Sequence, residues 1–144
     1  MDIINELHDI GYSKLAIMIQ KGEISSANKA FGYICNDGPT LDRSEAIQAS
    51  RRAITLVTSY YDRNVENAKI IIVSNYKLDQ NNNISIFKIG HISVRPVSFL
   101  VALTASNNIV SLADKEDDLD MRQVEILDAV GRVLYSDDIE LKKD

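Results

Sequence analysis

Three groups of side chains in this sequence could do chemistry. The first is basic: Arg51 and Arg52, with Arg43 upstream. On a helix, adjacent positions splay by about 100°. Two guanidiniums beside Ser44, Gln48 and Thr55 would offer forked donors suited to a phosphate or a carboxylate. An arginine pair is not a motif, however, and the same residues describe a solvated helix face with local ion pairs.

The second group is acidic: Asp114, Glu116, Asp117, Asp118 and Asp120. Such a run can mimic phosphates or steer a basic partner. It also describes a solvated loop that keeps a sheet edge from pairing. It lacks the turn glycine and distal glutamate of a calcium loop. Asp79, Asn81 and Asn83 alternate like the start of one, but Ile84 follows where glycine is needed and Gly90 falls at the place of the closing glutamate.

The third group is His8, His91 and Cys35, the only histidines and cysteine. A Cys–His pair can be nucleophilic, but Cys35 lies beside Ile34 on a helical pattern, as a small buried hydrophobe does. Zinc takes about four ligands of this kind at close spacing, so no metal is expected. The sequence has no G-x-S-x-G, no H-E-x-x-H and no Gly-rich phosphate loop. With six glycines in all, a glycine-built nucleotide cradle is not expected. No catalytic residue and no cofactor follows from these motifs. Tyr60, Tyr61 and Tyr76 suit either interface anchors or core edges.

These residues must be held by a chain of 144 residues, 45% hydrophobic, which can bury a core without disulfides. The formal net charge of -5 argues against direct nucleic-acid binding and against an anionic membrane surface. The N-terminus lacks a basic region followed by an apolar core, so no signal peptide is read. The longest apolar run, about Val97 to Ala105, is too short to cross a bilayer. A cytoplasmic protein is expected. Frequent isoleucine, asparagine and lysine suit an AT-rich bacterial or phage gene.

The strongest helical signal is Asp42 to Arg63. Ala46, Ile47, Ala53, Ile54, Val57, Tyr60 and Tyr61 share one face, and Arg51, Arg52 and Thr55 fall largely opposite. Asp42 and Glu45 read as a capping box after Gly38-Pro39. Upstream, Ile3, Ile4, Leu7 and Ile10 make one stripe, with Leu15, Met18 and Ile19 a second. Gly11 separates them and Gly22 stops the segment. Ser25 or Ser26 caps a further helix carrying Ala27, Ala30, Phe31 and Ile34.

From Lys69 the period changes. Lys69–Leu78 reads as an interior strand, apolar on both faces. Ile84–Ile92 is its hairpin partner, with Gly90 marking a bulge. Val97–Thr104 is read as a strand for its valines and length. Asn107-Asn108 is read as a turn and Ile109–Ala113 as a short strand. Gln123–Leu127 and Arg132–Tyr135 flank a turn whose Gly131 suits a type I turn with a G1 bulge.

The pattern predicts an α+β fold: N-terminal helices (about 1–65) packed on a C-terminal antiparallel β-sheet (about 69–136), with no βαβ alternation. A single domain, 1–144, is expected, with a helical half 1–66, a β half 67–136 and a frayed tail 137–144. The expected function is a small acidic binding protein that engages and neutralises another macromolecule of the toxin, nuclease or defence-factor kind. It would use Asp114, Glu116, Asp117, Asp118 and Asp120, with Arg51 and Arg52. The alternatives are a small enzyme in which Arg51, Arg52, His91 and Arg95 converge on a phosphorylated or carboxylated substrate, and a homo-oligomeric assembly protein.

Overall fold

The structure, a computed structural model, describes residues 2–36, 38, 43–62, 67–112 and 119–141, without the side chains of 43, 44 and 112. Its described residues form five helices and four strands, in an α+β arrangement with most helices N-terminal and an antiparallel sheet C-terminal. The chain divides into two compact units, Met1–Asn64 and Val65–Asp144.

The first unit contains α1 (Ile3–Asp9), α2 (Ser13–Gln20), α3 (Ala27–Asn36) and α4 (Arg43–Tyr61). Helix α1 touches α2 and α4, and α3 touches the same two, so the contacts close a ring. The stops are local chemistry. After α2, Gly22 adopts φ 74°, its N–H donates to Ile19 O (3.0 Å), and Glu23 N–H donates to Met18 O (3.0 Å). This paired closure satisfies carbonyls the helix would otherwise leave open, and it needs a left-handed residue. Ser26 accepts from Lys29 N–H at the start of α3. The capping box expected at Asp42 lies outside the described residues.

Helix α4 departs from a two-faced pattern. Ala53 to Thr58 are all buried, although Thr55 was expected on the polar face. The reason is internal satisfaction. Ser50, Thr55 and Thr58 donate their hydroxyls to Ile47 O, Arg51 O and Ile54 O at 2.8–2.9 Å. A hydroxyl bonded back to its own helix can be buried with little penalty.

The second unit is a sheet of β1 (Lys69–Leu78), β2 (Ile84–Arg95), β3 (Met121–Leu127) and β4 (Val133–Glu140), with α5 (Phe99–Leu112) between β2 and β3. Strand order is β2-β1-β3-β4, antiparallel throughout. Ile71, Val73, Val124 and Ile126 face Ala102 and Ile109 of α5 and form the core of this unit. Strand β1 is buried from Ile70 to Tyr76, as its apolar character on both faces predicts. The register skips Gly90 between Val73↔His91 and Ser74↔Ile89, so the expected bulge is present. In the β3–β4 turn Gly131 takes φ 90° and donates to Asp128 O, while Asp128 N–H donates to Arg132 O.

Several expectations are corrected. Val97–Thr104 is not a strand, Asn107-Asn108 is not a turn, and of the short strand expected at Ile109–Ala113 the residues Ile109–Leu112 are helical: all lie in or beside α5 (Phe99–Leu112). Strands β2 and β3 flank β1 and are both antiparallel to it, so they run parallel to each other. Such a pair needs a long crossover, here a helix. Nor are residues 137–140 part of a frayed tail. β4 continues through Glu140, which pairs with Met121.

Arg122 fixes α5 on the sheet. It is 2% exposed, donates from Nε to Asn75 Oδ1 (2.9 Å) and from Nη1 to Val110 O in the last turn of α5. A cation at a helix C-terminus also opposes the negative end of the helix dipole. Arg122→Ala removes a buried hydrogen bond to Asn75 and a part-buried one to a helix-end carbonyl. We expect it to lower the stability of this unit by about 3 kcal/mol in urea denaturation. A change below about 1 kcal/mol would show that these groups find other partners.

Candidate protein-docking edge

The outermost strand on one side of the sheet is β4, which pairs only with β3 among the described residues. Half the backbone donors and acceptors of such a strand face away from the sheet. Its sequence divides it in two. Val133 and Leu134 are exposed apolar residues (46% and 44%), followed by exposed Asp137, Asp138 and Glu140. No basic residue interrupts Val133–Glu140.

The fold positions these carboxylates. Asp138 accepts from Tyr76 Oη (3.1 Å) and from Gln123 Nε2 (3.2 Å). Burial pushes the Tyr76 hydroxyl pKa up, and the hydrogen bond to Asp138 and its negative charge push the same way, so Tyr76 stays a donor. Asp120 joins the group through its main chain: its N–H donates to Tyr76 O (3.2 Å) and its carbonyl accepts from Leu141 N–H (2.8 Å). The end of the acidic run therefore lies beside the end of β4.

Of the acidic run, Asp114, Glu116, Asp117 and Asp118 lie outside the described residues. The acids of β4 fall within 137–144, which the polar composition of the sequence assigns to a frayed tail. One available signal was length. A hairpin partner of the seven-residue β3 must itself run to about residue 140, and Tyr135, Asp137 and Ile139 alternate along it.

The basic group sits elsewhere. Arg51 and Arg52 lie on α4 in the first unit. Arg52 pairs with Glu6 (2.8 Å), tying α4 to α1. Thr55 is turned to its own helix backbone, so the hydroxyl expected to help hold an anion is engaged. His91 and Arg95 lie on β2 in the second unit, separated from Arg51 and Arg52 in the chain's division.

The described residues of the first unit include a cleft of about 260 Å³ lined by Tyr12, Ser13, Lys14 and Tyr33 among others. It is smaller than usual ligand sites. No group of three or more potential metal ligands occurs among the described residues. Nor is any described helix long and apolar enough to cross a membrane. No protein-family model matches the chain, and neither a curated protein nor a solved structure is significantly similar to it. The geometry of this chain alone therefore carries the functional argument.

Burial pushes the His91 imidazole pKa below its ordinary value, and the charge of Arg95 pushes the same way. The folded state thus favours the neutral ring. Its contribution to stability is complete above the ordinary pKa near 6.5 and is lost as pH falls through the lowered folded value. We expect the urea midpoint of the wild type to fall between about pH 7.5 and pH 5, and His91→Gln to lessen that fall. An identical fall in both would remove His91 as its source.

Proposed function

We propose that the protein is a cytoplasmic binding protein that engages a basic protein through the β4 edge and thereby blocks the basic surface it covers. The carrying observation is the exposure of Asp137, Asp138 and Glu140 on an open edge strand. An extended basic segment added to that edge would satisfy the outward backbone groups, and its charges would meet these carboxylates. Val133, Leu134 and the exposed turn residue Val130 supply apolar contact beside the acids. Asp120, the last residue of the acidic run, supports the same reading, because its main chain is bonded at this end of the sheet. Arg51 and Arg52 are not required by it.

The test compares wild type with Asp137→Lys/Glu140→Lys. Neither substituted side chain has a hydrogen bond described above, so the fold should survive, and circular dichroism checks this. The wild type is expected to capture a basic protein from native lysate in a complex whose association slows as salt is added. The variant should associate with the same protein about tenfold more slowly. Capture of that protein at an unchanged rate would overturn the proposal.

A further inference from the structure

The opposite edge of the sheet carries the opposite charge. Strand β2 contains Lys88, His91 and Arg95 and no acidic residue, with Lys88 and Arg95 exposed. Strand β4 contains three acids and no base. Each is an outer strand of the sheet among the described residues. We infer that the acidic β4 edge of one copy pairs head-to-tail with the basic β2 edge of a second copy, extending the antiparallel sheet from molecule to molecule. This rests on the reading of β4 as a docking edge; the second copy, itself of net charge -5, meets that edge through its basic strand alone.

Strand direction fits. All neighbours in the order β2-β1-β3-β4 are antiparallel, so β2 and β4 point in opposite directions. A second copy placed in the same orientation beside β4 therefore presents an antiparallel β2. No inversion of the molecule is needed.

Side-chain faces fit as well. Lys88 pairs with Asn75, His91 with Val73 and Ile86 with Lys77 within the sheet. Val73 is on the α5 side, so these β2 residues share that side. On β4, Asp137 pairs with Val124 and Tyr135 with Ile126, again on the α5 side. The register that sets Lys88 opposite Asp137 also sets Ile86 opposite Ile139. Beyond the Gly90 bulge it sets His91 opposite Tyr135. Opposite-charge and apolar cross-strand pairs of this kind each add about 0.2–1 kcal/mol.

Charge also selects against the symmetric alternatives. Pairing β4 with β4 sets acids against acids, and pairing β2 with β2 sets bases against bases. A lysine and bulges on an edge strand normally discourage pairing. Facing an acidic edge the lysine becomes attractive, while the bulges at Ser85 and Gly90 divide the ladder into two short runs. The contact is consequently weak, dependent on salt and heterologous, so it propagates instead of closing as a dimer.

The experiment is sedimentation of the full chain over a range of concentration at low and high salt. The wild type should form species larger than a dimer at low salt and dissociate at high salt. Lys88→Glu/Arg95→Glu alone and Asp137→Lys/Glu140→Lys alone should both be monomeric. Mixed in equal amounts they should associate again, because the retained Lys88 of one meets the retained Asp137 of the other and the reversed edges are also of opposite charge. A wild type that stays monomeric at low salt, a closed dimer, or a mixture that does not associate would each overturn the inference. Lysate capture separates the two readings. A monomeric wild type whose β4 variant still loses its captured partner refutes self-pairing only, and unchanged capture refutes the docking edge itself.

Discussion

Strand β1 has a partner on each side, and each runs antiparallel to it. This one constraint fixes most of the second unit. It makes β2 and β3 parallel, and a chain leaving β2 at Arg95 must travel back along the sheet before it can begin β3. The fourteen residues of α5 span about 21 Å, close to the roughly 23 Å length of the seven-residue β3. The helix is long enough to make the return and no longer. In doing so it covers Ile71, Val73, Val124 and Ile126, the face that β1 and β3 would otherwise leave open.

The same constraint explains which parts of the fold were legible. Several local signals hold because their chemistry is local. The glycines at 11 and 22, the serine cap at 26, the bulge at 90 and the turn at 128–131 have their reasons within a few residues. Helix α5 has its reason in strand order, which no local window contains. Its buried positions, Ala102, Ser106 and Ile109, and the half-buried Phe99, Leu103 and Val110 do keep helical spacing. That spacing was hidden by Leu100 and Val101, which are apolar but 72% and 52% exposed, and by two asparagines that lie on the exposed side. Ser98, whose hydroxyl accepts from Val101 N–H two residues after Pro96, was the available start signal.

Several buried polar groups in the two units are accommodated in the same way. In α4, serine and threonine hydroxyls enter the interior by bonding to carbonyls three or four residues back. In the sheet, Arg122 enters by joining Asn75 to the end of α5. Residue type alone marks Thr55 and Arg122 as surface positions. Only the partner reveals otherwise, and for Arg122 that partner is 47 residues away in sequence.

An open sheet of four strands must end somewhere twice, and the two ends here are made differently. β2 carries its extra residues at Ser85 and Gly90, so its ladder with β1 is broken into short runs. β4 has one irregularity, near the turn, and pairs continuously from Tyr135 to Glu140. Bulges blunt an edge by geometry, whereas carboxylates blunt it by charge. Geometry turns away most strands alike. Charge turns away acidic strands and draws basic ones, so an acidic edge selects its neighbours. On the proposed reading, the acids of β4 would act at once against indiscriminate pairing and in favour of one chemical class of partner. Of the acidic run only Asp120 is described, and its main chain bonds to Tyr76 and Leu141 at the end of β4.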